Sequence, residues 1–151
     1  MKRFTFALQP VLDLRQRIED EKQMIVAQKR RSLDDAETEL KRLNDEFRQN
    51  ADRLRSKHAE LNTEELRVTY AHLQFLDRCT VAQIHVVAER RVALDKARAE
   101  LLEASKDRKA VEKLKERRRT AHDTEAMRLE QNEIDDGNAR RYGRSVVGGM
   151  Q

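Results

Sequence analysis

The sequence predicts an all-α protein: an antiparallel two-helix coiled-coil hairpin with a longer second helix and a disordered C-terminal tail. A large apolar residue recurs every seven positions, and such a column needs a partner helix to cover it. Residues 11–136 contain neither glycine nor proline, and 40% of the chain is charged with no tryptophan, a composition too polar for a wide globular core. The column consists of Leu33, Leu40, Phe47, Leu54 and Leu61.

The first helix is predicted over about residues 10–61. Pro10 suits the first helical turn, where its missing N–H costs nothing. Apolar residues then recur mostly every three or four positions, so we expect them to form the seam, meaning the apolar contact between the two helices. They are Val11, Leu14, Ile18, Ile25, Leu33, Ala36, Leu40, Leu43, Phe47, Ala51, Leu54 and Leu61.

The hairpin bend is predicted near residues 59–63. Asn62 is followed three positions later by Glu65, which is the spacing of a capping box at a helix start. Leu61 and Leu66 flank the cap at the spacing of a hydrophobic staple. Because a short connection makes neighbouring helices antiparallel, we expect the second helix to fold back along the first.

The second helix is predicted over about residues 63–136, where Asp-Asp-Gly supplies a stop signal. Its last part, residues 115–136, is expected to overhang the start of the first helix. Residues 1–136 thus form the hairpin, and the glycine- and arginine-rich residues 137–151 form a flexible basic tail. The apolar side of the helix carries Leu66, Tyr70, Leu73, Leu76, Ile84, Val87, Leu94, Ala97, Leu101, Ala104, Val111 and Leu114.

The sequence lacks the residue patterns that catalytic, metal-binding and phosphate-binding sites require. The histidines at 58, 72, 85 and 122 never form the i, i+4 pair that places two metal ligands on one helical face. All glycines follow residue 136, so no phosphate-binding loop exists. Cys79 is the single cysteine and is predicted to be a seam thiol. We therefore predict a protein that is not an enzyme and has no metal or cofactor.

The sequence also predicts a cytosolic protein without membrane insertion. No apolar run reaches the roughly 18 residues needed to span a bilayer. Charged residues, among them Asp13 and Arg17, interrupt the first twenty positions, which therefore lack a signal-peptide core.

The strongest charge feature is the stretch 106–119. Eight positive and three negative side chains give it a net charge of +5. A charge run is most often a solvated helix face, but its place beside the predicted overhang favours contact with an acidic partner. Nucleic acid is a competing partner, although no aromatic residues are interleaved with the basic ones to stack on bases.

The chain resembles the FliJ family, the small coiled-coil component of the bacterial flagellar export apparatus. The similarity covers nearly the whole chain up to about Asp136 and rests on the order and spacing of short motifs. These are Phe4, Phe6, Leu8, Pro10, Val11, Leu12, Leu14 and Arg15; Ala36, Glu37, Leu40, Lys41, Leu43 and Asp45; Leu73, Leu76 and Asp77; and Val111 to Arg117.

The resemblance implies a specific role in flagellar assembly and hence motility. Family members resemble the central stalk of rotary ATP synthases, and their end with both termini inserts into the hexameric export ATPase. They promote assembly and activity of that ring, link it to the transmembrane export gate, and escort export chaperones. The implied location is cytoplasmic, at the inner face of the membrane beneath the flagellum. The implied ATPase-facing residues are Leu12, Arg15, Arg17, Lys113, Lys115, Arg117 and Arg118.

The resemblance also implies a surface for the export gate nearer the bend, formed by Leu43, Phe47, His72, Phe75 and Leu76. Leu43 and Leu76 also lie on the predicted seam, where core packing is the favoured interpretation. His72 stands where the family often has an aromatic residue. Phe75 lies off the apolar track and is the better candidate for an exposed aromatic contact.

Two alternatives from other functional classes stay open at the sequence level. One is a self-associating structural coiled coil with no ATPase partner. The other is a weak nucleic-acid binder that acts through residues 106–119. Crosslinks within one chain would distinguish the hairpin from a parallel dimer, and salt sensitivity without sequence preference would mark non-specific binding.

Overall fold

The computed structural model describes residues 3–148, and most of these residues lie in two α-helices. Helix α1 spans Gln9–Lys57 and helix α2 spans Thr63–Val147, with 49 and 85 residues. The predicted all-α fold with a longer second helix is confirmed. The chain divides into two compact units: unit 1 contains the residues up to Arg17 and those from Ser105 onward, and unit 2 contains Ile18–Ala104.

Helix α1 begins and ends with local signals. The Gln9 N–H donates to the Phe6 carbonyl at 3.0 Å, and Pro10 follows in the first turn. Arg55 and Lys57 lie in the last turn, where the negative end of the helix dipole favours cations. The sequence predicts an end near residue 61, but α1 ends at Lys57 because residues 58–60 form a turn ahead of the next helix cap.

Helix α2 begins with a complete capping box. The Glu65 N–H donates to Asn62 Oδ1 at 2.8 Å, and the Asn62 N–H donates to Glu65 Oε2 at 3.3 Å. Glu64 and Glu65 also place negative charge in the first turn, at the positive end of the helix dipole. These contacts satisfy backbone N–H groups that the start of any helix leaves unpaired.

Unit 2 is an antiparallel helical hairpin. Its cross-helix contacts join residues whose numbers rise on one helix as they fall on the other, which is the signature of antiparallel pairing. From the bend outward, four examples are His72 with Glu46 at 3.5 Å, Gln83 with the Ala36 carbonyl at 2.9 Å, Arg90 with the Ser32 carbonyl at 2.8 Å, and Lys22 with Glu100 at 3.1 Å.

The seam of unit 2 combines apolar and polar side chains. Leu33, Ala36, Val87 and Leu94 form a buried cluster, and covering a large apolar side chain completely stabilises by roughly 1.5–3 kcal/mol. The predicted seam residues Tyr70 and Ile84 are instead about half exposed. Counted from Leu76 in alternating steps of four and three residues, the seam positions are Thr80, Gln83, Val87 and Arg90. Half-buried polar residues therefore occupy most of these seam positions, in place of the predicted apolar ones.

Unit 1 pairs the first turns of α1 with α2, again in antiparallel order. Arg15 contacts Asp107 at 3.3 Å, and Lys115 donates to Gln9 Oε1 at 2.8 Å. Leu12 is buried, whereas the predicted seam residues Val11 and Leu14 are 38% and 54% exposed. The sequence-based choice of apolar track was therefore wrong here. The first turns carry apolar residues on several faces, and the cross-helix polar contacts orient the face with Leu12 inward.

The structure differs from the predicted C-terminal boundary. Helix α2 continues past Asp136 to Val147, and the predicted stop at Gly137 is absent. A glycine ends a helix by adopting a positive φ angle, and none of the described glycines does so. Residues 127–146 are exposed along their whole length. The last part of the predicted tail, residues 149–151, lies outside the described residues.

Within residues 3–148, neither α1 nor α2 has an apolar stretch long enough to cross a bilayer.

Candidate partner-binding surfaces

The predicted ATPase-facing residues all lie in unit 1, and we call them the basic surface. Leu12 is only 8% exposed, so its side chain packs inside the unit. The six cations lie on the two helices around it, with Arg15 and Lys115 half-buried and the others exposed. The basic surface consists of Leu12, Arg15, Arg17, Lys113, Lys115, Arg117 and Arg118.

The cations of the basic surface divide into two groups. Arg15 and Lys115 make the cross-helix contacts described above, and the Arg118 guanidinium lies 5.9 Å from the centre of the Phe6 ring. Among the described residues, Arg17, Lys113 and Arg117 form no ion pair and are exposed. A charge that is exposed and unpaired can contact a partner without first breaking an internal contact.

An N-terminal arm, residues 3–8, packs against α2 in unit 1. Phe6 is buried, and the Phe4 ring lies 5.5 Å from the His122 ring. A cavity of about 620 Å³ lies between the arm and α2, lined in part by Arg3, Phe4, Lys115, Arg119 and His122. Phe4, Phe6 and His122 were not among the predicted site residues, although two aromatic residues just before Pro10 were a usable signal.

The structure brings four of the five predicted gate residues together in unit 2, in a groove of about 470 Å³ that we call the aromatic groove. Leu43 and Leu76, 6% and 2% exposed, form its floor and belong to the seam. His72 and Phe75 form one wall, with their rings stacked at 6.4 Å. Phe75 is 55% exposed and is therefore available for contact.

Charged side chains line the opposite wall of the aromatic groove. Arg42 donates to Glu39 at 2.7 and 2.9 Å and to Glu46 at 2.9 Å. The hydrogen bond from Arg42 lowers the pKa of Glu39, and that contact raises the pKa of Arg42. Glu46 also lies 3.5 Å from His72 Nε2, an ion pair only when the imidazole is protonated. The groove thus combines an exposed aromatic ring with a fixed row of charges.

The fifth predicted gate residue, Phe47, is 37% exposed and does not line the aromatic groove. A second apolar groove of about 410 Å³ lies beside the bend, where Leu54, Leu61 and Val68 are flanked by Lys57 and Glu65. Within the described part of the chain, no three His, Cys, Asp or Glu side chains are grouped to hold a metal ion.

Comparison with protein families places these surfaces in context. The family described as flagellar FliJ protein matches residues 4–146, which is nearly the whole chain. The chain belongs to the FliJ family. The match includes both helices, the N-terminal arm from Phe4 onward, and all residues of the basic surface and the aromatic groove.

A solved structure supports the fold of this FliJ-family chain. It is that of a putative YscO homolog from Chlamydia trachomatis, with a TM-score of 0.59 and 20% sequence identity. The alignment covers 99% of this chain and 100% of the other. A comparison with curated proteins found no significant match.

Family membership describes the function at a coarse level. The chain is a coiled-coil protein associated with the flagellar export apparatus, from a family of structural stalk proteins.

Proposed function

We propose that this FliJ-family chain is a stalk and adaptor for the flagellar export ATPase. It inserts unit 1 into the hexameric ATPase ring, promotes assembly and activity of the ring, and links it to the transmembrane export gate and to export chaperones. It acts without catalysis or a cofactor, in the cytoplasm at the inner face of the membrane. The family match over residues 4–146 is the observation that carries this proposal.

The charges of unit 1 support contact with an acidic surface of the ATPase. Lys113 and Arg117 lie one turn apart on α2, both exposed and without an ion pair among the described residues. Exposed cations of this kind raise the rate of association with an acidic partner and add specificity. Arg15, Lys115 and Arg118 have internal contacts, so we assign them mainly to holding the shape of the surface.

The difference in symmetry between the partners supplies a mechanism. A single chain inside a ring of six equivalent subunits cannot make the same contacts with each subunit. Unequal contacts favour different conformations in different subunits, and a ligand shifts a conformational equilibrium by its difference in affinity for the states. The chain would thereby couple nucleotide turnover around the ring.

The aromatic groove is the proposed contact for the export gate. Phe75 supplies an exposed aromatic anchor, and His72 stacks on it from the same helix. Aromatic residues often contribute most of the binding energy at interfaces. Leu43 and Leu76 support the groove from the seam, and Phe47 is assigned no direct part because it does not line the groove.

Addition of the chain to its cognate export ATPase tests the proposal. The wild-type chain should raise ATP hydrolysis and hexamer formation, and Lys113→Glu with Arg117→Glu should abolish both effects. Arg78→Glu with Arg98→Glu, an equal change of charge in unit 2, is the matched control and should leave them intact. The absence of stimulation by the wild-type chain would contradict the proposal.

A further inference from the structure

Two segments of α2 in unit 1 carry equal and opposite charge. Residues 113–119, which we call the basic segment, contain five positive side chains and Glu116, for a net charge of +4. Residues 130–136, which we call the acidic segment, contain Glu130, Glu133, Asp135 and Asp136 with no lysine or arginine, for a net charge of −4. The two segments are therefore electrostatically complementary.

The acidic segment is an unpartnered part of the helix. Every residue from 130 to 136 is exposed, and none of its four carboxylates forms an ion pair among the described residues. The Asp135 carboxylate accepts a hydrogen bond from Gln131 at 3.0 Å, which leaves its charge uncompensated. Two exposed apolar residues lie in or just before the acidic segment: Met127 is 70% exposed and Ile134 is 56% exposed.

The two segments cannot meet within one molecule. Helix α2 is continuous from Thr63 to Val147, so both segments lie on the same helix. At 1.5 Å per residue, their centres are about 25 Å apart along its axis. Only a second molecule can bring an acidic segment against this basic segment.

We propose that a second copy of this chain binds here, with its α2 antiparallel to the first. The midpoint between the two segments lies near residues 124–126. An antiparallel copy centred there places each basic segment opposite the acidic segment of the other copy. Such an alignment brings Arg117 of one copy close to Asp135 of the other. These two residues are 18 positions, or about five helical turns, apart on α2 and therefore lie on the same face. The contact is two-fold symmetric and closes on itself, which limits the assembly to a dimer.

The proposed pairing is electrostatic in character. Its face carries the polar residues Thr120, Thr124 and Gln131 beside Met127 and Ile134, so it has no continuous apolar seam. Attraction between exposed charges is screened by salt, with a Debye length of about 10 Å at 0.1 M. The dimer should therefore form at low salt and dissociate as salt rises. It covers Lys113 and Arg117, two residues proposed above to contact the ATPase.

Sedimentation equilibrium of the full chain with reciprocal charge reversals tests the pairing. One variant carries Lys113→Glu, Arg117→Glu and Arg119→Glu, and a second carries Glu130→Arg, Glu133→Arg and Asp135→Arg. Each variant alone should stay monomeric at low salt, where the wild type dimerises. An equimolar mixture of the two should form a heterodimer, because each supplies the charge that the other has lost.

Three controls make the result decisive. Circular dichroism should show that both variants keep the helical content of the wild type. Arg67→Glu, Arg78→Glu and Arg98→Glu together change the net charge equally in unit 2, and this variant should still dimerise. A chain carrying both sets of reversals restores the complementarity and should also dimerise. A wild type that stays monomeric at low salt, or a mixture that fails to pair, would overturn the proposal.

Discussion

Leu76 and Phe75 are adjacent residues with opposite environments. Leu76 is 2% exposed in the seam, whereas Phe75 is 55% exposed in the aromatic groove. Truncation of a buried leucine to alanine removes apolar contacts and leaves a cavity. We predict that Leu76→Ala lowers the free energy of unfolding by about 2–5 kcal/mol, measured by urea denaturation.

Phe75→Ala is the matched substitution, and it should separate stability from binding. Surface substitutions usually change stability by no more than about 0.5 kcal/mol. We predict near-normal unfolding for Phe75→Ala but at least about tenfold weaker binding to a purified fragment of the export gate. Val92→Ala, at a 69% exposed position elsewhere on α2, should leave gate binding unchanged. Equal weakening by both variants would refute the role of the aromatic groove.

Asn62 caps α2 through its side-chain oxygen. Replacement by alanine leaves backbone N–H groups of the first turn without that acceptor. We predict that Asn62→Ala lowers the free energy of unfolding by about 0.5–2 kcal/mol in urea denaturation. Asn44→Ala, in the exposed interior of α1, should cause no loss because alanine is the better helix former there.

Glu39 provides a pH-dependent contact at the surface. The hydrogen bond from Arg42 lowers the pKa of Glu39 in the folded protein. A lowered pKa contributes stability that is present above the unfolded pKa and is lost as pH falls through the folded value. We predict a slightly lower Tm for Glu39→Gln at pH 7, and a difference from the wild type that shrinks as pH falls through the lowered pKa of Glu39. Glu60→Gln, at an exposed bend residue without an ion pair among the described residues, is the control and should leave Tm unchanged at pH 7. A Glu39→Gln difference that stays constant down to low pH would contradict the assignment.

At the scale of the helix, the C-terminal part of α2 is formed by local signals without tertiary support. Residues 127–146 are exposed throughout, although α2 continues through Gly137 and Gly143. We predict that truncation after Glu125 reduces the helical circular dichroism signal but changes Tm by no more than about 2 °C. A large fall in Tm would show that these residues pack against the rest of the protein.

The local signals of each helix were readable in the sequence. The capping box at Asn62 and Glu65 forms as its spacing predicts, because both hydrogen bonds are made within four consecutive residues. The choice of buried face was harder. Val11 and Leu14 were predicted in the seam and Leu12 was not, yet Leu12 is the buried residue. A helix with apolar residues on several faces does not specify which one meets its partner.

At the scale of the whole molecule, the hairpin can be tested by crosslinking within one chain. Arg90 donates to the Ser32 carbonyl at 2.8 Å, so these positions adjoin across unit 2. In a Cys79→Ala background, we predict that a short thiol-reactive crosslinker joins Ser32→Cys to Arg90→Cys within one chain, seen as monomeric chain with faster migration on a denaturing gel. Ser32→Cys with Arg67→Cys should not be joined in this way. Crosslinked dimers from the first pair would favour the parallel-dimer alternative.

For the candidate surfaces too, the sequence identified residues, whereas only the tertiary structure showed their burial and their contacts with distant residues. Leu43 and Leu76 were predicted both as seam residues and as gate contacts, and their burial assigns them to the floor of the aromatic groove. The arm contacts of Phe4 with His122 and of Phe6 with Arg118 join residues more than a hundred positions apart. No spacing rule in a sequence relates residues that far apart.

The helical class, the bend and the family resemblance followed from the chain alone, because periodicity, capping and charge act over a few neighbouring residues. The buried face of the first turns, the division of cations into paired and exposed, and the placement of the N-terminal arm depended on tertiary structure. Each of these depends on which side chains a distant segment presents, and only packing determines that.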